Sequence, residues 1–294
     1  MRQFVTKILF FSFTSIAVLW VTLIWFRIFV NMSYTRNGLD PETSTIFVGD
    51  SHIRTAINDG MLEKSINIGK GSETYYFSYF KLKMLLENNK KIKHVYLGFG
   101  CHSISDYYEN FIYGEYSGIY APIYFYLLPL KEELKTILWN RANLMIFIRN
   151  VIKQGTKQSF NANSYSLLGG FSNPFYEGGH IDFLVDKRLN TQYFTNGKLN
   201  PFSELNIFYL NKIITLCETR GVNLTLLNTP VHEYYYSRIP RPYIDEINRI
   251  VKTSNVNYID LSNLKLCDSC YTPDGDHVTH IGAKTTTLKL KELM

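Results

Sequence analysis

Ile46-Phe47-Val48-Gly49-Asp50-Ser51-His52-Ile53-Arg54 is a short apolar run that ends abruptly in a small residue, an acid, a serine and a histidine. The turn-forming Asp40-Pro41-Glu42-Thr43-Ser44 bounds it on the left, so Thr45–Val48 is expected to be a buried strand of a parallel sheet covered on both faces. Gly49 permits a backbone conformation that other residues resist, and a short helix is expected from His52 to Ile57. Ser51 is thereby delivered to a sharp turn at the carboxyl end of a strand, where reactive groups and helix N-termini collect in open α/β sheets. Serine and aspartate are also ordinary helix caps, so this tripeptide needs support from elsewhere in the chain.

That support lies near the other end. Pro273-Asp274-Gly275-Asp276-His277-Val278-Thr279-His280-Ile281-Gly282-Ala283 places an acid three residues before a histidine, just ahead of a final helix. A serine nucleophile needs a base to take its proton, and the base needs a carboxylate to orient it. Asp274-x-x-His277 can supply both from one turn.

On these residues the chain resembles the SGNH/GDSL hydrolase superfamily, which includes esterases, lipases and polysaccharide O-acyltransferases. Gly49-Asp50-Ser51-His52 looks like its first block, with His52 where many members have Leu, and Asp274-x-x-His277 with Gly282-Ala283 looks like its last. Ile66-Asn67-Ile68-Gly69-Lys70-Gly71-Ser72 resembles the second block, whose glycine donates a backbone N–H to an oxyanion; that glycine falls on Ser72 or, with a slip of one, on Gly71. The third block normally carries Gly-x-Asn, and here Leu97-Gly98-Phe99-Gly100-Cys101-His102 has no asparagine. The resemblance covers 44–105 and 205–290. It implies Ser51 as nucleophile, His277 as general base and Asp274 as its orienting acid. The Ser51 N–H and one from the Gly69–Gly71 loop would hold the oxyanion, with His102 standing in for the missing asparagine.

The implied activity is ester hydrolysis or O-acyl transfer on cell-envelope or exported polysaccharide, with an acylated glycan as substrate and a membrane acyl-donor protein as partner. The alternative is a non-catalytic, membrane-anchored glycan-binding or scaffold component, which the missing asparagine favours and the Ser51, Asp274 and His277 set opposes. No cofactor or metal is implied: Asp50, Asp276, His277 and His280 are metal-ligand types, yet no further ligand has a recognisable spacing. His232 and Asp260 end strands on the expected active edge.

A chain of 294 residues, 46% apolar and 15% aromatic, can bury a large core and is not disordered. The formal net charge is +6 with the basic residues scattered, which argues against a nucleic-acid surface. Ile8–Phe26 is uncharged and almost wholly apolar, matching the ~20 residues a bilayer-spanning helix needs. A cleaved signal peptide would have an apolar region of ~7–15 residues ending in small residues; this one ends in Trp25-Phe26-Arg27, which looks like an interfacial anchor. Arg2 and Lys7 on one side nearly balance Arg27 and Arg36 on the other, so the resemblance to surface-polysaccharide enzymes is what assigns a single-pass inner (cytoplasmic) membrane protein with its globular part outside the cytoplasm. Cys267-Asp268-Ser269-Cys270 would permit a small disulfide in an oxidising compartment; Cys101 and Cys217 read as apolar fillers.

Strands are expected at Thr45–Val48, Ser65–Ile68, His94–Phe99, Asn223–Leu227 and Val256–Ile259, separated by helices over about 74–88, 204–220 and 243–253 and followed by one over Ile281–Leu293. This alternation predicts a flavodoxin-like doubly wound α/β sheet of five parallel strands in the order 2-1-3-4-5. Residues 1–36 form the membrane anchor and 37–294 the α/β domain. An insertion at about 103–200 is read as a mostly helical and loop-like lid, with an apolar helix around Leu134–Ile152, a Gly169-Gly170…Gly178-Gly179-His180 loop, and an aromatic surface suited to stacking on sugar rings.

Overall fold

In the computed structural model, which describes residues 1–36, 39–160, 168–172 and 181–294, a long helix α1 (Arg2–Arg36) precedes β1 (Thr45–Val48), α2 (Ser51–Ala56), β2 (Ser65–Asn67), α3 (Tyr75–Asn88) and β3 (His94–Gly98). The insertion follows, with α4 (Ser117–Tyr124), α5 (Leu130–Trp139), α6 (Leu144–Phe160), α7 (Ile181–Tyr193) and a small hairpin of β4 (Phe194–Thr195) and β5 (Lys198–Leu199). The chain closes with α8 (Glu204–Thr219), β6 (Asn223–Asn228), α9 (Glu233–Tyr236), α10 (Arg241–Ser254), β7 (Asn257–Asp260) and α11 (His280–Leu293).

The main sheet runs β2-β1-β3-β6-β7, every neighbouring pair parallel. This is the expected 2-1-3-4-5 order, with β4 and β5 set apart in their own antiparallel pair. Strand β1 is apolar at consecutive positions because both faces are covered. Ile46 and Val48 pack in one layer with Phe26 of α1, Phe77 of α3 and Leu210 of α8, while Phe47 turns to the other layer with Ala283 and Leu290 of α11. The pairings Val48↔Leu97 and Leu97↔Leu226 keep β1, β3 and β6 level, so the segments that follow them leave from one edge of the sheet.

Gly49 makes the turn after β1 with φ +147°. A Cβ built there would stand 2.9 Å from Ile53 and 3.1 Å from the backbone nitrogen of Gly98. The ends of β1 and β3 therefore approach glycine to glycine.

The insertion differs from the reading above. The apolar stretch around Leu134–Ile152 is two helices, because the Asn140 side chain donates to the Thr136 carbonyl at 2.9 Å and accepts from Ser117 Oγ at 2.6 Å, closing α5. Such a side chain offers the backbone an alternative to continuing the helix. Of the described aromatic residues in the insertion, Tyr108, Phe111, Tyr124, Phe125, Tyr126 and Tyr193 are buried, whereas Tyr113 and Phe160 are exposed. Gly178, Gly179 and His180 lie outside the described residues.

Replacing Gly49 with alanine adds both backbone strain and a clash, an expected loss of about 2–4 kcal/mol. Gly221, at φ +63° with nothing within 4 Å of a new Cβ, should lose only about 1 kcal/mol on the same change. Urea unfolding of the detergent-solubilised chain measures both; equal losses would remove the packing argument at Gly49.

Candidate active site

Ser51 is the first residue of α2, and Asp50 caps that helix by accepting the His52 N–H at 2.9 Å. Asp274 and His277 lie in the turn before α11, where Gly275 takes φ +65°. The sheet brings the two segments together. His277 Nε2 lies 2.8 Å from Ser51 Oγ, and His277 Nδ1 lies 2.7 Å from Asp274 Oδ2. Asp274 Oδ1 accepts from Thr272 Oγ1 at 2.5 Å and from the backbone N–H groups of Asp276 and His277 at 3.1 and 3.2 Å. A carboxylate held this way accepts Nδ1–H, which leaves Nε2 as the acceptor for the serine proton.

The electrostatics agree with that tautomer. Burial pulls His277 down, but Asp274, with Asp276 behind it, outweighs this and holds the imidazole above its ordinary 6.5. Burial alone would raise Asp274; the His277 ring and the hydrogen bonds it accepts hold it well below the usual carboxylate range.

Behind the triad lies a buried network that the sequence did not announce. His52, in the first turn of α2, is 5% exposed. It stacks on His102 with ring centres 3.9 Å apart, and its ring tilts against His277 at 4.8 Å. Its Nε2 is 3.1 Å from Asp276 Oδ1, but neither atom has a well-aligned hydrogen bond, so the contact is electrostatic. Arg188 Nε and Gln192 Nε2, both from α7, donate to the other oxygen of Asp276 at 2.6 and 2.9 Å. Burial keeps His52 below its ordinary value despite Asp276. Burial raises Asp276, but His52 and Arg188 more than reverse this and hold it well below the usual range. Arg188 carries no local motif, and only a three-dimensional arrangement reveals it.

The oxyanion candidates divide. His102 is buried, its Nε2 is 2.7 Å from Asp50 Oδ2, and it does not line the cleft beside Ser51; its ring is committed to the carboxylate that caps α2. The Gly69 N–H donates to Asn67 Oδ1 at 2.8 Å and the Lys70 N–H to the Gly49 carbonyl at 2.9 Å. In that loop Gly71 lies beside the Arg54 guanidinium, and Ser72 follows in the left-handed region at φ +61°. Beneath the loop a fully buried Lys81 pairs with Glu73 and donates to the Ile68 carbonyl at 2.6 Å.

Ser51 and His277 open on a cleft of about 340 Å³ lined also by Arg54, Thr55, Ser172, Leu184, Thr272, Pro273 and Asp274. Among the described residues its wall contains no aromatic side chain. Asp50-His52-His102 and His52-Asp276-His277 each bring three metal-ligand types within 4.8 Å. Their carboxylates are engaged by His102 and by Arg188, as in an ion-pair network. Of the remaining candidates, His232 caps α9, Asp260 accepts the Ser262 N–H, and His280 opens α11 in an exposed position. Cys267 and Cys270 are free thiols with Sγ atoms 2.7 Å apart.

Ser51 follows β1, and Asp274 and His277 precede the last helix of a 2-1-3-6-7 sheet. The fold is an open, doubly wound α/β sheet. No protein-family model and no curated protein matches it. Among solved structures it is similar to a GDSL-like lipase from Bacteroides thetaiotaomicron, at 12% identity over 91% of this chain and 97% of that one, with a TM-score of 0.40. It is also similar to a chain provisionally described as a platelet activating factor from Streptococcus pneumonia, at 14% identity over 95% and 98%, TM-score 0.42. A third is an acylhydrolase, also so described provisionally, from Bacteroides fragilis, at 11% identity over 85% and 86%, TM-score 0.37.

The raised His277 sets a pH dependence for any reaction in which its neutral form is the base. The rate should climb as pH rises through a midpoint above 6.5 and then level off. Asp274→Asn removes the main upward pull and should move the midpoint to lower pH. The pH profile of kcat/KM for an aryl ester checks this, and an unmoved midpoint would break the link to Asp274. The same shift stabilises the fold fully below the imidazole's unfolded value, and that stability is lost as pH rises through the folded one.

Proposed function

We propose that this SGNH-type chain is a serine-dependent acyl-ester hydrolase or O-acyltransferase acting on cell-envelope or exported polysaccharide. The observation that carries the reading is the continuous hydrogen-bonded chain Asp274–His277–Ser51 ending at an open cleft. Ser51 Oγ attacks the ester carbonyl as His277 Nε2 takes its proton. The tetrahedral oxyanion is held by the backbone N–H groups of Ser51 and Gly71, each worth about 3–4 kcal/mol. Collapse expels the alcohol, which receives the proton back from His277. Water or a sugar hydroxyl, deprotonated by His277 in turn, then releases the acyl group. Asp274 keeps the imidazole in the required tautomer throughout.

Arg54 in the cleft wall offers donors to the hydroxyl or carboxylate groups of a sugar. The envelope assignment rests on α1, the one helix among the described residues long and apolar enough to cross a membrane, and on the resemblance to polysaccharide-modifying enzymes. One observation favours a non-catalytic glycan-binding role instead: His102 is turned to Asp50 and does not replace the missing third-block asparagine.

Ser51→Ala separates the two readings. Turnover of an acetylated sugar or aryl ester should fall by ~10³–10⁶, with little change in folding. Asp274→Asn should also cost heavily, and the double variant should be no worse than Ser51→Ala alone, because residues acting as a unit fail together. An alanine variant that keeps the protein's full cellular role would leave the binding reading standing.

Orientation has its own test. Protease added to spheroplasts should digest the α/β domain and leave Arg2–Phe26 membrane-bound; complete protection would reverse the topology, and a mature chain beginning after Phe26 would replace the anchor with a cleaved signal.

A further inference from the structure

The apolar part of α1 divides into two lengths. The most hydrophobic window of the helix has none of its residues buried in the protein, whereas Phe26 and Val30 are core residues and Leu23 packs against them. Gly155 of α6 allows this packing, since a Cβ there would stand 2.7 Å from the Phe26 ring. Arg2–Val21 is therefore the free length, ~30 Å at ~1.5 Å per residue, with Arg2 and Lys7 at its outer end and the uncharged Ile8–Val21 nearest the domain. The α/β domain consequently begins at the level of Trp20–Arg27, with no spacer between it and the lipid.

At that level lies helix α5. Leu130 and Leu134 share a cavity of about 370 Å³ with Trp20, Leu23, Ile24 and Arg27, and Arg27 is ion-paired with Glu133 at 2.5 Å. On the outside of α5, Leu130, Leu134 and Leu138 form an i, i+4, i+8 stripe, 55%, 42% and 69% exposed, and Met145 at the start of α6 is 81% exposed. Single exposed leucines need no explanation, but a contiguous stripe does. Residues 130–160 also carry six basic side chains against two acidic ones. A helix with an apolar stripe and basic surroundings suits the boundary between lipid headgroups and acyl chains.

We infer that the Leu130-Leu134-Leu138 face of α5, with Met145, is seated in the bilayer surface beside α1, so that the insertion docks the catalytic domain flat against the membrane. The occupant is lipid, because the stripe is continuous with the helix that spans it. The inference rests on α1 as a span and is independent of the reaction at Ser51. Held in this way, the domain cannot swing on its anchor, and its reach is confined to substrates near the membrane plane.

The test uses the full chain with the exposed Cys267 changed to serine, reconstituted in phosphatidylcholine–phosphatidylglycerol vesicles. An environment-sensitive fluorophore is attached at Leu134→Cys, Leu138→Cys or Met145→Cys. Leu288→Cys on α11, across the sheet, serves as the reference, and Phe13→Cys marks the span. Nitroxides on the lipid tails should quench the α5 and α6 labels several-fold more than the Leu288 label, and iodide in the buffer should quench them less. Met145→Cys gives the same readout should a leucine replacement disturb α5. Labels as open to iodide as the reference would overturn the docking, and labels shielded from both quenchers would overturn it in favour of a protein contact such as a second copy. If the Phe13 label also escaped the lipid nitroxides, the span would fail and the docking with it, a result distinct from quenching at Phe13 alone.

Discussion

The 2.8 Å contact between His277 Nε2 and Ser51 Oγ joins residues 226 positions apart, and it exists only because parallel strands deposit their following segments at one edge of the sheet. Gly49 and Gly98 let β1 and β3 close on each other there, which sets Ser51 at the start of α2 with its hydroxyl towards the final turn. The contact in turn depends on Asp274, whose two oxygens are both engaged. An imidazole held at both nitrogens keeps one rotamer and one tautomer, the condition for acting as a base.

Charge is managed around that contact by residues remote in sequence. Three Asp–His pairs stand side by side: Asp274–His277, Asp276–His52 and Asp50–His102. Were all three rings cationic they would repel, and burial disfavours charge on His52. Arg188, from the insertion, balances Asp276 at the centre of the fold. Breaking such a buried pair by removing one partner typically costs about 3–5 kcal/mol, because the charge left behind is uncompensated. The insertion is thus part of the site's electrostatic support as well as a cover over it, and through α5 and α6 it also meets α1.

Much of this was legible in the sequence wherever a local pattern carries the information. Three consecutive apolar residues before Gly49 meant a strand buried on both faces; Pro201-Phe202-Ser203-Glu204 and Gly221 bracketed α8, whose Ser203 cap accepts the Asn206 N–H; and Asp274-x-x-His277 is a one-turn spacing whose geometry is nearly independent of the rest of the chain. The uncharged run from Ile8 to Phe26 likewise announces a long apolar helix without any tertiary context.

What only the tertiary structure decided concerns residues whose partners are far away in sequence. His52, in the first turn of α2, had every local reason to be solvated, yet α7 and the Asp276 turn enclose it. His102 was free in sequence to face an oxyanion, yet Asp50 lies closer and takes it. Tyr108, Tyr124, Tyr126 and Tyr193 had the composition of a sugar-binding surface and became core, because an insertion of this size needs an interior of its own. The sequence by itself determined the alternation of strands and helices and the one-turn spacing of Asp274 and His277, since each follows from short-range periodicity and spacing. The burial of His52 and the approach of Asp276 and Arg188 depend on contacts between distant segments, and only the folded arrangement supplies them.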